Sequence, residues 1–249
     1  MKLDRVIAVR NDKTVYRDGD ACIKVFAETY RKDDVLNEAL NQARVEQTGL
    51  NVPELRAVTQ TEGKWAIVSE YIAGRTLDCL MRDNPEKTET YLDLFTDIQK
   101  KIHSVTVPLL IKQKDKMRRK ILQSDVEATL RYDLIARLDG MPRHSKLCHV
   151  DFNPSNVILR SDGTPFVVDW AHASVGNASA DAARTYLGML LSGECERADR
   201  YLAAFSAKSR TKPTYIEKWF PIVAAAMSVD VNAEEREILL KRLVSDNWK

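Results

Sequence analysis

The stretch from residue 147 to residue 170 constrains this chain more than any other. Leu147-Cys148-His149-Val150-Asp151-Phe152-Asn153-Pro154-Ser155-Asn156-Val157-Ile158-Leu159 sets a histidine, an aspartate and two asparagines in a loop between apolar runs. One hairpin later, Pro165-Phe166-Val167-Val168-Asp169-Trp170 ends a β-run on a lone carboxylate. Short apolar runs bounded by Asn, Asp, Ser and Gly read as buried strands. Asp151, Asn156 and Asp169 therefore fall at the ends of adjacent short strands. Two acids and an amide suit a hard cation such as Mg²⁺, which takes few carboxylates and shares its remaining positions with water and phosphate oxygens.

The segment before this loop divides in character. Arg5–Arg10, Thr14–Arg17 and Ala21–Phe26 read as strands, separated by the turns Asn11-Asp12-Lys13 and Asp18-Gly19-Asp20. Lys32–Thr48 carries Val35, Leu36, Ala39, Leu40 and Ala43 at helical spacing, with Gly49 as a helix stop. Leu55–Thr61 and Lys64–Tyr71 follow as strands around Glu62-Gly63. Hairpin-length connections of this kind build a mostly antiparallel sheet with one helix.

After a hinge near Glu70–Gly74 the pattern becomes helical. Thr76 caps Leu77–Arg82, and Asn84-Pro85 breaks it. Glu86–Ser104 turns Leu92, Phe95, Ile98 and Ile102 to one face. Ser124-x-x-Glu127 reads as a capping box for a helix ending near Gly140. The short strands Lys146–Val150, Val157–Arg160 and Pro165–Val168 interrupt. Helices resume at Ala180–Leu191, Glu194–Lys208, Pro213–Val229 with a kink at Pro221, and Ala233–Asp246 behind Asn232. The expected organisation is a small sheet lobe ending in its hinge over residues 1–74, and a larger helical lobe over 75–249.

Composition excludes several classes. The 249 residues suffice for a core without disulfide or metal staples. The 38 basic against 36 acidic residues give +2, too balanced for a dedicated nucleic-acid binder. The balance is uneven: residues 1–100 hold 15 basic and 18 acidic, 101–145 hold 10 and 5, and 146–249 hold 13 and 13. The basic excess lies in Lys112, Lys114, Lys116, Arg118, Arg119 and Lys120, which reads as a solvated helix face. No apolar run is long enough to span a bilayer, and no signal-peptide core follows Met1. Cys22, Cys79, Cys148 and Cys195 are scattered without paired spacing, which predicts reduced thiols in a cytoplasmic protein, monomeric or homodimeric.

The spacing His149-x-Asp151-x-x-x-x-Asn156, followed by Asp169 at the next strand end, resembles the catalytic core of the protein-kinase-like phosphotransferases. Asp169-Trp170, Ala173-x-x-Gly176, Asp181-Ala-Ala-Arg184 and Ile67-Val-Ser-Glu-Tyr-Ile-Ala-Gly74 resemble one branch of it, the aminoglycoside phosphotransferase and choline kinase-like family. The resemblance runs from about Val15 to Leu191. It implies an α+β, two-lobed protein-kinase-like fold, with a small antiparallel-sheet N-lobe carrying one helix and a larger, mainly helical C-lobe. It implies ATP and Mg²⁺ as cofactors, and a small-molecule hydroxyl acceptor. By this resemblance Asp151 orients and deprotonates the acceptor hydroxyl, and His149 braces the loop. Asn156 and Asp169 hold Mg²⁺. Lys24 reaches the α/β-phosphates, with Glu38 holding it and Glu28 and Glu46 as rivals for that part. Backbone groups of Glu70, Tyr71 and Ile72 meet adenine, and Asp181 accepts hydrogen bonds from the catalytic-loop backbone.

Two departures bear on the branch. No Gly-x-Gly-x-x-Gly loop precedes Lys24, and Gly19 is the only glycine before Gly49. Val150 stands where the branch usually has glycine. The expected acceptor is an aminoglycoside or other amino sugar by resemblance, with choline or ethanolamine, a sugar or another metabolite as alternatives. A grip on a cationic acceptor would draw on Glu194, Glu196, Asp199, Asp230, Glu234, Glu235 and Glu237. A metal-dependent hydrolase using His144, His149 and Asp151, and a nucleotide-binding pseudokinase, are the readings from other classes.

Overall fold

The computed structural model describes residues 3, 5–9, 12–245 and 248. Arg10 and Asn11 of the expected first strand and turn, and Asp246 of the expected last helix, lie outside them. The chain begins with β1 (Arg5–Val9), β2 (Lys13–Asp18), β3 (Ala21–Phe26), α1 (Lys32–Glu46), β4 (Leu55–Thr61), β5 (Lys64–Glu70), β6 (Gly74–Thr76) and α2 (Leu77–Asp83). It continues with α3 (Thr88–Ile102), α4 (Gln113–Gln123), α5 (Ala128–Gly140), β7 (Lys146–Cys148), β8 (Val157–Arg160), β9 (Pro165–Val167) and β10 (Ser174–Gly176). It ends with α6 (Ala178–Leu191), α7 (Cys195–Ser209), α8 (Pro213–Glu217), α9 (Phe220–Met227) and α10 (Ala233–Ser245). This is the α+β class, an antiparallel sheet followed by a mainly helical C-terminal part. The chain packs as two units: residues 1–85 with 154–173, and 86–153 with 174–249.

In the first unit five antiparallel strands run in the order β1-β2-β3-β5-β4. Glu62 and Gly63 both take positive φ, which matches the twist of a two-residue hairpin joining β4 and β5. Phe26 and Ile67 pack on Val35 and Ala39 of α1. The expected apolar face of α1 is corrected here. Leu36 and Leu40 are exposed, whereas Glu38, Asn41 and Val45 are buried. The helix turns two polar residues inward because each finds a partner there. Glu38 meets lysines, and Asn41 Nδ2 donates to the Ala171 carbonyl at 3.0 Å. Burying a hydrogen-bonded polar group avoids the desolvation penalty an orphan would carry. A second sheet, β6-β8-β9, belongs to the same unit. Gly74 is required in it, since a Cβ there would lie 2.5 Å from the Leu159 carbonyl oxygen. Thr76 caps α2 as expected, its hydroxyl accepting from Cys79 N at 3.2 Å.

The second unit buries Leu92, Phe95, Ile98 and Ile102 of α3, as their spacing predicts. Phe95 stacks on Phe152 with ring centres 4.2 Å apart. Three expectations need correction. Lys146–Cys148 pairs with Ser174–Gly176, a strand absent from the sequence reading, and not with the Val157 hairpin. Ser124 does not cap the following helix: its hydroxyl donates back to Ile121 O at the end of α4, and Glu127 caps α5 by accepting from Thr129 N and Leu130 N. A carboxylate at that position also favours the helix N-terminus electrostatically. Finally, Pro213–Val229 is two helices. Pro221 sits in the first turn of α9, where its missing N–H is harmless, so the chain breaks before it and is not kinked at it.

Candidate active site

In the first unit a cavity of about 440 Å³ is lined by residues of β2, β3, α1 and the end of β5, together with Ser155, Asn156, Val168, Asp169 and Trp170. Lys24 enters it from β3, flanked by Val15 on β2 and Ile67 on β5. A lysine between apolar strand neighbours needs anions, and it has two. Its Nζ lies 2.6 Å from Glu38 Oε1 and 3.1 Å from Asp169 Oδ1. Burial alone would lower the Lys24 pKa; Asp169 and Glu38 together outweigh it and hold the ammonium above its ordinary value. Glu38, not Glu28 or Glu46, is thus the residue the structure brings to Lys24. Glu28 reaches Lys64, and Glu46 accepts from Leu55 N.

Glu38 has a second cation, which the sequence reading missed. Lys13 Nζ lies 3.2 Å from Glu38 Oε2, and 5.3 Å from the ring centres of both Phe26 and Tyr30. Burial lowers the Lys13 pKa and the neighbouring Lys24 adds to that, but Glu38, Asp169 and Tyr30 together outweigh both and the value is raised. Lys13 looked like a turn residue. The only signal for it was its place at the head of a strand whose register sets it opposite Phe26.

Asn156 and Asp169 also face this cavity. Asn156 is buried, and its carbonyl accepts from Val168 N at 2.9 Å, which ties the two loop segments together. Asp169 takes left-handed φ/ψ of 64° and 61°, uncommon outside glycine but best tolerated by Asn and Asp. Glu70, Tyr71 and Ile72 line the cavity too. Glu70 N donates to Glu54 O and Tyr71 N to Asp20 O, both at 2.8 Å, so these two donors are spent on the sheet.

The second unit holds the His149–Asp151 loop. His149 is fully buried, and its Nδ1 accepts from Asp151 N at 3.3 Å. Asp151 is half-buried, with Asn153 Nδ2 donating to its carbonyl at 3.1 Å. Val150 takes φ 70°. Asp181, fully buried near the start of α6, accepts from Val150 N at 2.7 Å and His149 N at 3.3 Å. Burial would raise the Asp181 pKa; the hydrogen bond and charge of His103, then His149 and the Val150 N–H, reverse that and hold it below the ordinary carboxylate value. His103 Nε2 lies 2.8 Å from Asp181 Oδ2. His103 was another missed contributor. Its signal was a polar pair, Gln99 and His103, four residues apart beside the apolar stripe of α3.

Several members of the other charged clusters are paired internally. Arg118 pairs with Asp139, Lys120 with Asp230, and Lys114 donates to the carbonyls of Asp139 and Met141. Of the acids weighed for a cationic acceptor, Glu194 pairs with Arg197, Glu196 with Arg200 and Glu237 with Lys241. Asp199 accepts from the Tyr186 hydroxyl, and Glu235 from Asn232 N.

A lysine held between a glutamate and an aspartate at a cavity is a pattern that phosphoryl-transfer sites use. The sequence model of the phosphotransferase enzyme family matches residues 5–215. The chain belongs to this family and is an enzyme, a kinase. No curated protein sequence matches it significantly. Among solved structures, the aminoglycoside phosphotransferase APH(4)-Ia, as a thermostable mutant in ternary complex with AMP-PNP and hygromycin B, superposes with a TM-score of 0.69 at 14% identity, over 96% of this chain and 91% of that one. A choline/ethanolamine kinase family protein from Mesorhizobium loti gives 0.64 at 15% identity, over 98% and 87%. The choline kinase LicA from Streptococcus pneumoniae gives 0.63 at 16%, over 98% and 94%. The shared fold is the protein-kinase-like α+β fold.

Proposed function

We propose that this kinase transfers the γ-phosphoryl group of ATP to a hydroxyl of a small molecule, with Mg²⁺. The observation that carries the reading is the cavity in which Lys24 is held between Glu38 and Asp169. Lys24 binds the α/β-phosphates, and Glu38 keeps it aimed. Mg²⁺ would be held by Asn156 and Asp169. An amide and a carboxylate at one cavity are hard oxygen donors that leave coordination positions for phosphate oxygens. The ion supplies charge neutralisation on the triphosphate when bound. Residues 1–74 form the nucleotide lobe, and 75–249 carry the catalytic loop and the acceptor. With the N–H groups of Glu70 and Tyr71 engaged in the sheet, the adenine-facing donor is Ile72 N–H.

Asp151 orients the acceptor hydroxyl and accepts its proton as the oxygen attacks phosphorus and ADP leaves. Phosphoryl transfer asks a protein mainly for positioning and charge stabilisation, so one carboxylate on a fixed loop suffices. His149, fully buried, is a brace and not a reagent. That also weakens a hydrolase built on His144, His149 and Asp151, because His144 is exposed while the ring of His149 is sealed in the core.

An aminoglycoside or other amino sugar is the first acceptor class, supported by the family and by the neighbour that binds hygromycin B. Choline or another alcohol carrying at most one charge is the second reading. The internal pairing of Glu194, Glu196 and Glu237 favours it, since a polycation would have to displace existing partners. A cytoplasmic setting rests on the four scattered cysteines. Among the described residues no helix is long and apolar enough to cross a membrane.

The test has two arms. Mg²⁺-ATP at about 100 times its Kd should stabilise the protein by roughly 2.7 kcal/mol and raise Tm by roughly 5–10 °C. ATP consumption should then respond to one class in a panel of aminoglycosides, choline-like alcohols, nucleosides and sugars. No shift with any Mg²⁺-nucleotide, together with no transfer to any hydroxyl compound, would overturn the reading.

A further inference from the structure

Val150 is a β-branched residue in the left-handed region, φ 70°, a conformation that persists only where its surroundings impose it. Both of its peptide groups are gripped. Its N–H donates to Asp181 Oδ1 at 2.7 Å, and its carbonyl accepts from Arg184 Nε at 2.8 Å. Asp151 is the next residue, so the direction in which its carboxylate leaves the loop is set by this peptide.

The grip on the N–H side depends on which way Asp181 points. Asp181 Oδ2 takes the His149 N–H at 3.3 Å, but its short contact is His103 Nε2 at 2.8 Å. His103 is held in turn by the end of α3. Its own N–H donates to Gln99 O at 3.0 Å, and its ring meets Phe205 edge-on at 5.7 Å. The His103 ring is buried, and its Nδ1 has no hydrogen-bond partner among the described residues. Among those residues Asp181 is thus the one polar tie of a ring sunk in the core, a place where an apolar side chain would cost less. The tie accounts for a histidine there.

We infer that His103 is a positioning residue: through Asp181 it holds Val150 in its left-handed turn and so fixes the direction of Asp151. This rests on the reading of Asp151 as the residue that orients the acceptor. Glycine adopts positive φ without steric penalty, so Val150→Gly removes the need for the clamp. A residue that merely filled the core would be indifferent to that change.

The experiment compares kcat and the ATP KM in wild type, His103→Leu, His103→Gln, Val150→Gly and the double variant His103→Leu/Val150→Gly. It adds the amide shift and hydrogen exchange of Val150 in the unliganded protein. His103→Leu should lower kcat by roughly 10- to 100-fold, the scale of a misplaced catalytic group, with the ATP KM within about 2-fold. His103→Gln, which keeps an N–H donor, should restore part of the loss. In the Val150→Gly background the same His103→Leu change should cost several-fold less. The Val150 amide should exchange faster in His103→Leu. Equal losses of kcat in both backgrounds, or an unchanged Val150 amide in His103→Leu and His103→Gln, would overturn the assignment. Should His103→Leu not fold, His103→Gln and its Val150→Gly double carry the same comparison. Should the wild type turn over no acceptor, the reading of Asp151 and its hydroxyl acceptor fails by itself, and the amide measurement still decides the role of His103.

Discussion

At the cavity of the first packing unit charged side chains hold one another; around the Val150 loop of the second, buried side chains hold backbone. Lys13, Glu38, Lys24 and Asp169 form a chain of ion pairs at the wall of a cavity, and 36% of the Asp169 side chain is exposed. Asp181, Arg184 and Thr185 instead accept from or donate to the main chain of Val150 and Phe152, and Asp181 itself is fully buried. On the proposed function, the difference follows from what each must do. Groups that meet a charged ligand must exchange partners when it arrives, so their ion pairs line a cavity that the ligand can enter. A loop that aims one carboxylate must not move, so its partners are sealed where an unpaired group would be costly.

The largest test of this division is Asp151→Asn. Turnover should fall by about 10²- to 10⁴-fold, the usual weight of a general base, while the thermal shift produced by Mg²⁺-ATP stays unchanged. Loss of the nucleotide shift along with turnover would merge two jobs that the two units keep apart.

Asp181→Asn should rank next, and it should act on the fold. Removing one partner of a buried pair costs about 3–5 kcal/mol, read as a lower denaturant midpoint at unchanged m-value. The pH dependence has a definite sign. A carboxylate whose folded pKa lies below its ordinary 3.8 contributes stability that is complete above that value and is lost as pH falls through the folded pKa. The variant should therefore unfold in acid with a shallower pH dependence below pH 4. An unaltered acid limb would show that Asp181 is not the buried anion its contacts require.

Lys24→Met tests the opposite unit. It should weaken nucleotide binding by roughly 30-fold, about 2 kcal/mol, with a smaller change in stability. The stabilising contribution of Lys24 is present below its ordinary value of 10.5 and is lost only as pH rises past its elevated folded pKa, so the pH dependence of stability near neutrality holds no clue to it. Undiminished nucleotide affinity would remove Lys24 from the phosphates.

The same contrast decides what was legible in the sequence. Groups that act through side chains at fixed offsets, Asp151, Asn156 and Asp169, stood out because strand ends and loop lengths are written locally. Lys24 and Glu38 came together because a strand lysine and a helix acid fourteen residues apart point inward from neighbouring elements. Lys13 and His103 did not, since each contacts its partner across 25 and 78 residues, and only tertiary packing creates that proximity. Pairing of β7 with β10 was hidden for a related reason. Three-residue strands have too little periodicity to separate from the loop around them. The face of α1 was misjudged because Leu36 and Leu40 suggested the inward stripe, while the polar Glu38 and Asn41 had partners that no local pattern reveals.

Lys116 gives the smallest and most distinct effect, because it reverses what happens at Lys24. Both ammoniums are largely buried, but Lys24 sits between carboxylates, whereas Lys116 lies on α4 among cations. Burial, followed by Lys120 and Arg119, lowers its pKa to about 8, and Asp230 only partly compensates. A lysine whose folded pKa is depressed opposes folding while it is charged. Stability should therefore increase as pH rises from about 8 towards 10.5, over the interval in which the unfolded chain holds a proton that the folded chain has released. Lys116→Met should remove that rise and add about 1–2 kcal/mol at pH 7, checked by urea midpoints at pH 7, 8.5 and 10. Nucleotide binding should not respond, since the change lies in the other packing unit from Lys24. A Lys116→Met protein that is destabilised at pH 7 would mean that α4 relies on this charge.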